Sequence, residues 1–208
     1  MMTKVKICGI RSIEAGVAAA ENGAWAVGFV FAPSCRRISS ADAAAIVRQL
    51  PGDVKKVGVF VNAPRDEVVQ TAQACGLDML QFHGEESPEY CRRWDLPVIK
   101  AFAVGDNFTA AALKEYDVTA YLLDSSVQGM RGGTGIAFDW DIAAGIANEI
   151  PLIVAGGLTP DNIGTVIKKT CPFALDVSSG VETDGEKDLH KIVSLFREIR
   201  RVDYEYAG

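Results

Sequence analysis

Short apolar runs alternate along the whole chain with longer stretches of helical spacing. The runs are about five residues long, and a run plus its helical stretch recurs roughly every 26 residues for eight units, the pattern of repeated strand-helix units. The first run, Val5 to Arg11, reads as a buried strand that stops at Gly9. Side chains alternate along a strand, so Val5 and Ile7 share one face while Lys6 and Cys8 share the other.

Further strands are predicted at Ala26 to Phe31, Lys56 to Val61, Met79 to Phe82 and Val98 to Phe102, then at Ala120 to Leu123, Leu152 to Ala155 and Phe173 to Val177. Helices fall between them. One starts near Ser12, a suitable N-cap, and ends at Gly23; a second starts near Ser40, capped by Ser39 or Ser40, and stops at Pro51-Gly52. Others run from Pro64 to Ala74, from Ser87-Pro88, from Phe108 to Glu115 and from Phe138 to Ala147. The seventh is opened by Thr159-Pro160-Asp161, and the last runs from about Lys187 to Arg200. The connection Asp124 to Ala137 is the longest and rich in glycine, and long loops in compact domains are often functional. The tail 202–208 has no period and is expected to fray.

Buried parallel strands alternating with helices predict a single-domain α/β fold over 1–208, closed into a (β/α)8 TIM barrel. A doubly wound open sheet is the competing fold. Against it, no Gly-x-Gly-x-x-Gly follows the first strand, and polar or glycine residues follow nearly every strand rather than one switch point.

Composition narrows the function. With 208 residues and a net charge of −6, the chain can bury a full core, and it does not attract nucleic acid or anionic membrane in general. Five cysteines lack Cys-x-x-Cys spacing and the two histidines lie far apart, which argues against a disulfide framework or a zinc site. There is no charged-then-apolar leader and no apolar run long enough to span a bilayer, so the expectation is a reduced, soluble, cytoplasmic protein.

In such a barrel the active face lies where each strand stops. Those positions are Cys8, Ser34 with Arg36, Asn62, His83, Asp124, Gly156 with Gly157, and Asp176 through Gly180. The turns around Gly156-Gly157 and Ser179-Gly180 each precede a helix, and exposed N–H groups in adjacent turns on the last two strands suit a phosphate. Arg36 suits a carboxylate, or is a solvated loop arginine. Asp124 is costly to bury unless paired or used. His83 orients ligand or bonds a backbone carbonyl. Gly133, in Gly132-Gly133-Thr134-Gly135, belongs to an active-site loop without the ending of a nucleotide P-loop.

Seven segments together resemble phosphoribosylanthranilate isomerase: Lys6-Ile7-Cys8-Gly9-Ile10, Gly28-Phe29-Val30-Phe31 leading to Ser34-x-Arg36, Val57 to Asn62, Gln81-Phe82-His83-Gly84, Leu123-Asp124 before Gly132 to Gly135, Ala155 to Leu158, and Asp176-Val177-Ser178-Ser179-Gly180-Val181-Glu182. They come in the family's order. The resemblance implies an Amadori rearrangement of N-(5-phosphoribosyl)anthranilate to 1-(2-carboxyphenylamino)-1-deoxyribulose 5-phosphate in tryptophan synthesis, without metal or organic cofactor. It implies Cys8 as general base, Asp124 as general acid, Arg36 on the anthranilate carboxylate and the glycine turns on the phosphate. His83, Gly133 and Asp176 are further pocket candidates. The implied partner is a phosphorylated small molecule, and the protein a monomer or homodimer. In this loop Cys35 stands where many relatives have proline, which bears on the choice of Arg36 over Arg37.

Lys6 shares Cys8's side of its strand, and Lys100 is expected to point into the barrel. Either stabilises a Cys8 thiolate, or both simply pair with buried carboxylates such as Asp176. Two other functions remain open on sequence. A sugar-phosphate epimerase would want a metal with paired aspartates and histidines. A silent phosphate-ligand binder would need the anion grips but no acid-base pair.

Overall fold

The computed structural model describes residues 2–105, 108–124 and 140–207. Eight parallel strands follow one another around a closed barrel. They are β1 (Lys4–Cys8), β2 (Ala26–Val30), β3 (Lys55–Phe60), β4 (Met79–Phe82), β5 (Val98–Ala103), β6 (Ala120–Asp124), β7 (Leu152–Ala155) and β8 (Ala174–Val177). Closure pairs β1 with β8, Lys6 opposite Asp176 and Ile7 opposite Val177.

Strand alternation divides the core in two. Val57, Met79, Ile99, Ala101, Leu122 and Ile153 fill the barrel interior, whereas Val5, Ile7, Val27, Phe29, Leu80 and Leu123 face the surrounding helices. On β5 the interior residues are Ile99 and Ala101, so Lys100 points outward, contrary to the expectation from sequence. It meets buried Glu86 at 3.0 Å and the Gly84 carbonyl at 2.6 Å. Glu86 in turn accepts from the backbone N–H of Asn62 and of Gly84, tying together the loops after β3 and β4.

The helices form where the caps stand. Ser12 accepts from Ala15 N to start α1 (Ile13–Glu21). Ser39, not Ser40, caps α2 (Ser40–Val47). α3 (Arg65–Cys75) ends at Gly76 in the left-handed region. α4 (Pro88–Cys91) is a single turn capped by Ser87. Between β5 and β6 the expected helix is a 3₁₀ segment, Ala110–Glu115. α5 spans Trp140–Ala147, and Phe138, where it was expected to start, lies outside the described residues.

α6 (Ile163–Thr170) begins later than Thr159 suggests. Asn162 accepts from Thr159 N–H and donates to the Gly157 carbonyl, 2.9 Å each, so these residues form a turn before the helix. After β8 come a 3₁₀ turn (Ser179–Val181) and a hairpin of β9 (Glu182–Thr183) and β10 (Glu186–Lys187). The final helix α7 (Leu189–Ala207) corrects the expected fraying of 202–208: it continues to Ala207, because Val202 is fully buried and Asp203 accepts from the N–H and hydroxyl of Thr3. Among the described residues no helix is long and apolar enough to cross a membrane.

Candidate active site

The C-terminal ends of the strands surround a cavity of about 370 Å³ lined by Cys8, Arg36, His83, Asp124, Gly156, Gly157, Asp176 and Ser179. Val30, Ala32, Val59 and Val61 give it an apolar wall on the β2 and β3 side. Residues from the first and last thirds of the chain meet here only because the barrel closes.

Cys8 ends β1 and is buried. One turn of the alternation below it, Lys6 is fully buried and pairs with Asp176 Oδ2 at 2.9 Å. A Cβ on Gly28 would stand 2.9 Å from Cys8 Sγ and 3.0 Å from Lys6 Nζ, so the glycine on β2 makes room for thiol and ammonium together. Lys6 thus makes the pairing with Asp176 that the sequence offers, and it also borders the space beside Cys8. Burial pushes the Cys8 thiol above its usual pKa, with the Lys6 ammonium acting against that shift. Burial alone would lower Lys6, but Asp176 and then Cys8 outweigh it and raise the ammonium.

Arg36 crosses above this strand. Its Cδ would lie 2.7 Å from a Cβ on Gly9, whose φ is +79°, so both the backbone turn and the arginine stem require glycine there. The guanidinium donates through Nε (2.8 Å) and Nη2 (2.7 Å) to Glu182. Glu182 also accepts from Lys187 at 2.5 Å. Burial alone would push the Glu182 carboxyl up, but the hydrogen bonds from Arg36 and Lys187 bring it down to about 2. The neighbouring Arg37 is exposed and borders other surface grooves, so of the two arginines the fold brings Arg36 to the cavity.

Across the barrel, Asp124 ends β6 with its carboxylate 17 % exposed and 3.5 Å from His83 Nε2. The other ring nitrogen, Nδ1, lies 3.0 Å from Gln81 Nε2. With the amide N–H donating, the imidazole proton sits on Nε2 and faces Asp124. Sequence reasoning does not single out Gln81, although Met79 and Gln81 alternate on the interior face of β4 with His83 next in that alternation, a signal of a polar side chain in the interior. Gln81 Oε1 and Asp176 Oδ1 are buried acceptors with no hydrogen-bond partner among the described residues. Glu182 and Lys187 were likewise not assigned a place beside Arg36.

The turns after β7 and β8 touch. Gly156 and Gly157 have φ of +93° and +62°. A Cβ on Gly180 would overlap the Leu158 carbonyl oxygen at 1.8 Å, so only glycine lets the second turn lie against the first. Ser178 Oγ donates to the Cys8 carbonyl at 3.1 Å, linking these turns to β1. Of the other rim positions, Asn62 turns away into the Glu86 knot. Gly133 lies outside the described residues. No group of three or more His, Cys, Asp or Glu residues able to hold a metal ion is found among the described residues.

The chain matches the model of the N-(5'phosphoribosyl)anthranilate (PRA) isomerase family over residues 5–198. It is 48% identical over 203 residues to the N-(5'-phosphoribosyl)anthranilate isomerase of Citrifermentans bemidjiense, covering 97% of this chain and 98% of that one. The crystal structure of phosphoribosyl anthranilate isomerase from Thermotoga maritima superposes with a TM-score of 0.87 at 39% identity, covering 96% of this chain and all of that one (100%). A second crystal structure of the enzyme, in complex with reduced 1-(o-carboxyphenylamino)-1-deoxyribulose 5-phosphate, gives a TM-score of 0.84 at 38% identity, with 96% and 100% covered. With the barrel, the cavity and these likenesses all spanning nearly its full length, the chain belongs to the N-(5'-phosphoribosyl)anthranilate isomerase family.

Proposed function

We propose that the chain's reaction, the Amadori rearrangement of N-(5'-phosphoribosyl)anthranilate in tryptophan biosynthesis, runs on Cys8 as general base and Asp124 as general acid. The observation that carries this reading is that both side chains, supplied by β1 and β6, line one cavity with an arginine at one edge and paired glycine turns at another. The reaction is an internal oxidoreduction: an aldose-derived amine becomes a ketose with no external electron acceptor. It therefore needs only a proton delivered and a proton removed.

Asp124 gives a proton to the ribose ring oxygen as the C1′–O bond breaks and the nitrogen lone pair forms a Schiff base. Cys8 then removes the C2′ proton to give an enolamine, which tautomerises to the ketone. The thiol must first ionise, and its raised pKa makes that step dependent on the Lys6 ammonium. His83 holds Asp124 in place. Arg36 receives the anthranilate carboxylate, and Gly156, Gly157, Ser179 and Gly180 receive the phosphate by backbone N–H groups. The apolar wall of Val30, Val59 and Val61 suits the aromatic ring. The orphan acceptors of Gln81 and Asp176 suit hydroxyls of the opened sugar. No step calls for a metal or an organic cofactor. A net charge of −6 argues against nucleic acid as a partner while local cations hold the small anionic substrate, and we read the protein as a cytoplasmic monomer or homodimer.

Substitution tests the assignment. Cys8→Ser and Asp124→Asn should each lower kcat by at least about a hundredfold while largely sparing affinity for the reduced product analogue, measured in the presence of EDTA. Turnover that survives either change removes that residue from the mechanism.

A further inference from the structure

The hairpin after β8 contributes to the cavity without being one of its walls. Glu182 on β9 is nearly buried, its side chain 8 % exposed, and it bonds Arg36 from a distance of 146 residues along the chain. Lys187 on β10, 4 % exposed, bonds the same carboxylate and also the Ser178 carbonyl at 3.0 Å. Arg11 fastens the far end of the hairpin, donating to the carbonyls of Cys35 and Gly185 and to Glu186. Hairpin and β2 loop are thus clamped together on both sides of Arg36.

Two consequences follow for a carboxylate arriving at Arg36. Glu182 takes Nε and Nη2, which fixes the plane of the guanidinium and leaves Nη1 without a protein partner among the described residues. Arg36 with Glu182 alone would also be electrically neutral, and a neutral pair has little attraction for an anion. Lys187 restores a net charge of about +1, the complement of one carboxylate.

We propose that Glu182 and Lys187 are positioning residues for substrate recognition: Glu182 aims Arg36, and Lys187 offsets Glu182's charge so that Arg36 can still attract the anthranilate carboxylate. This rests on Arg36 being the carboxylate grip. It extends that grip to the end of the Asp176-to-Glu182 motif and to a lysine beyond it.

The test is calorimetric binding of two ligands to the full chain: the reduced product analogue, and its anilino counterpart lacking the carboxylate. Glu182→Gln and Lys187→Met should each weaken the carboxylate ligand by about tenfold, ~1.4 kcal/mol, and the anilino ligand by less than about twofold. In turnover the loss should fall on KM rather than kcat. Neither change should weaken the carboxylate ligand further in an Arg36→Met background. Equal losses on both ligands would mean a merely structural hairpin and would overturn the proposal. So would tighter carboxylate binding by Glu182→Gln, which would mean that charge alone matters and aim does not. Arg36→Met separates the layers. If it leaves the carboxylate preference intact, the grip itself is misassigned. If it abolishes the preference while both hairpin variants keep it, only the positioning role fails.

Discussion

Replacing Lys6 by methionine tests the buried base of the site. The ammonium is fully buried, and its partner Asp176 has a side chain only 7 % exposed, so neither is stabilised by water. Methionine fills similar volume but leaves the Asp176 carboxylate inside the barrel without its cation. Removing one member of a buried pair costs about 3–5 kcal/mol. At about 2–4 °C per kcal/mol for a chain of this size, the melting temperature should fall by roughly 6–20 °C. The double variant Lys6→Met with Asp176→Leu removes both charges and should recover most of that loss, since an apolar pair of similar shape is often no worse than the ion pair. Calorimetric melts of the parent, single and double variants make the comparison. A single variant melting within about 2 °C of the parent, or a double variant no better than the single, would refute the argument from uncompensated charge. The same substitution reads the chemistry. Lys6 is the chief influence holding the Cys8 pKa down against burial. Without it the thiol should titrate higher, and the alkaline-rising limb of kcat/KM should move to higher pH.

Two further expectations concern the rim. Gly180→Ala places a methyl group into the Leu158 carbonyl, and backbone cannot yield as a side-chain tip can. The turns after β7 and β8 must separate, at about 1–3 kcal/mol in stability, and affinity for inorganic phosphate, followed by calorimetry, should fall with it. The acid limb of stability should carry Glu182's signature. Its carboxyl titrates at about 2 in the folded protein against an ordinary 4.5, so its contribution is complete above about pH 4.5 and is lost as pH falls toward 2. Denaturant unfolding of Glu182→Gln should show a shallower decline across that window, and an unchanged slope would contradict the ion-pair geometry.

The barrel was legible because parallel strands buried on both faces leave contiguous apolar runs, and β4 and β7 appear at the bounds the runs suggest. Helix starts were legible where a serine could cap them, as at Ser12 and Ser87. The single turn of α4 and the 3₁₀ segment Ala110–Glu115 were not, since their residues have adequate helical spacing and the shortening comes from how the chain returns to the barrel. Lys100 faces outward against the sequence expectation for a related reason: which parity of β5 faces inward depends on its register with β4 and β6, and a local pattern does not contain that register. The site divides similarly. Cys8 and Asp124 end their strands and Arg36 follows β2 in its loop, polar or reactive groups just beyond apolar runs, which is why the sequence points to them. Glu182's bond to Arg36 and Lys6's to Asp176 join residues more than a hundred positions apart, and only closure reveals them.

That closure also sets an order of events. Lys6 and Cys8 each stand 170 residues ahead of the partner that completes their surroundings, Asp176 and Ser178 respectively, and so are synthesised well before it. Until β8 docks, β1 is an open sheet edge and Lys6 an unpaired ammonium that water must solvate. Desolvating it is favourable only once Asp176 arrives, so the Cys8 thiol acquires its surroundings only when β8 seals β1.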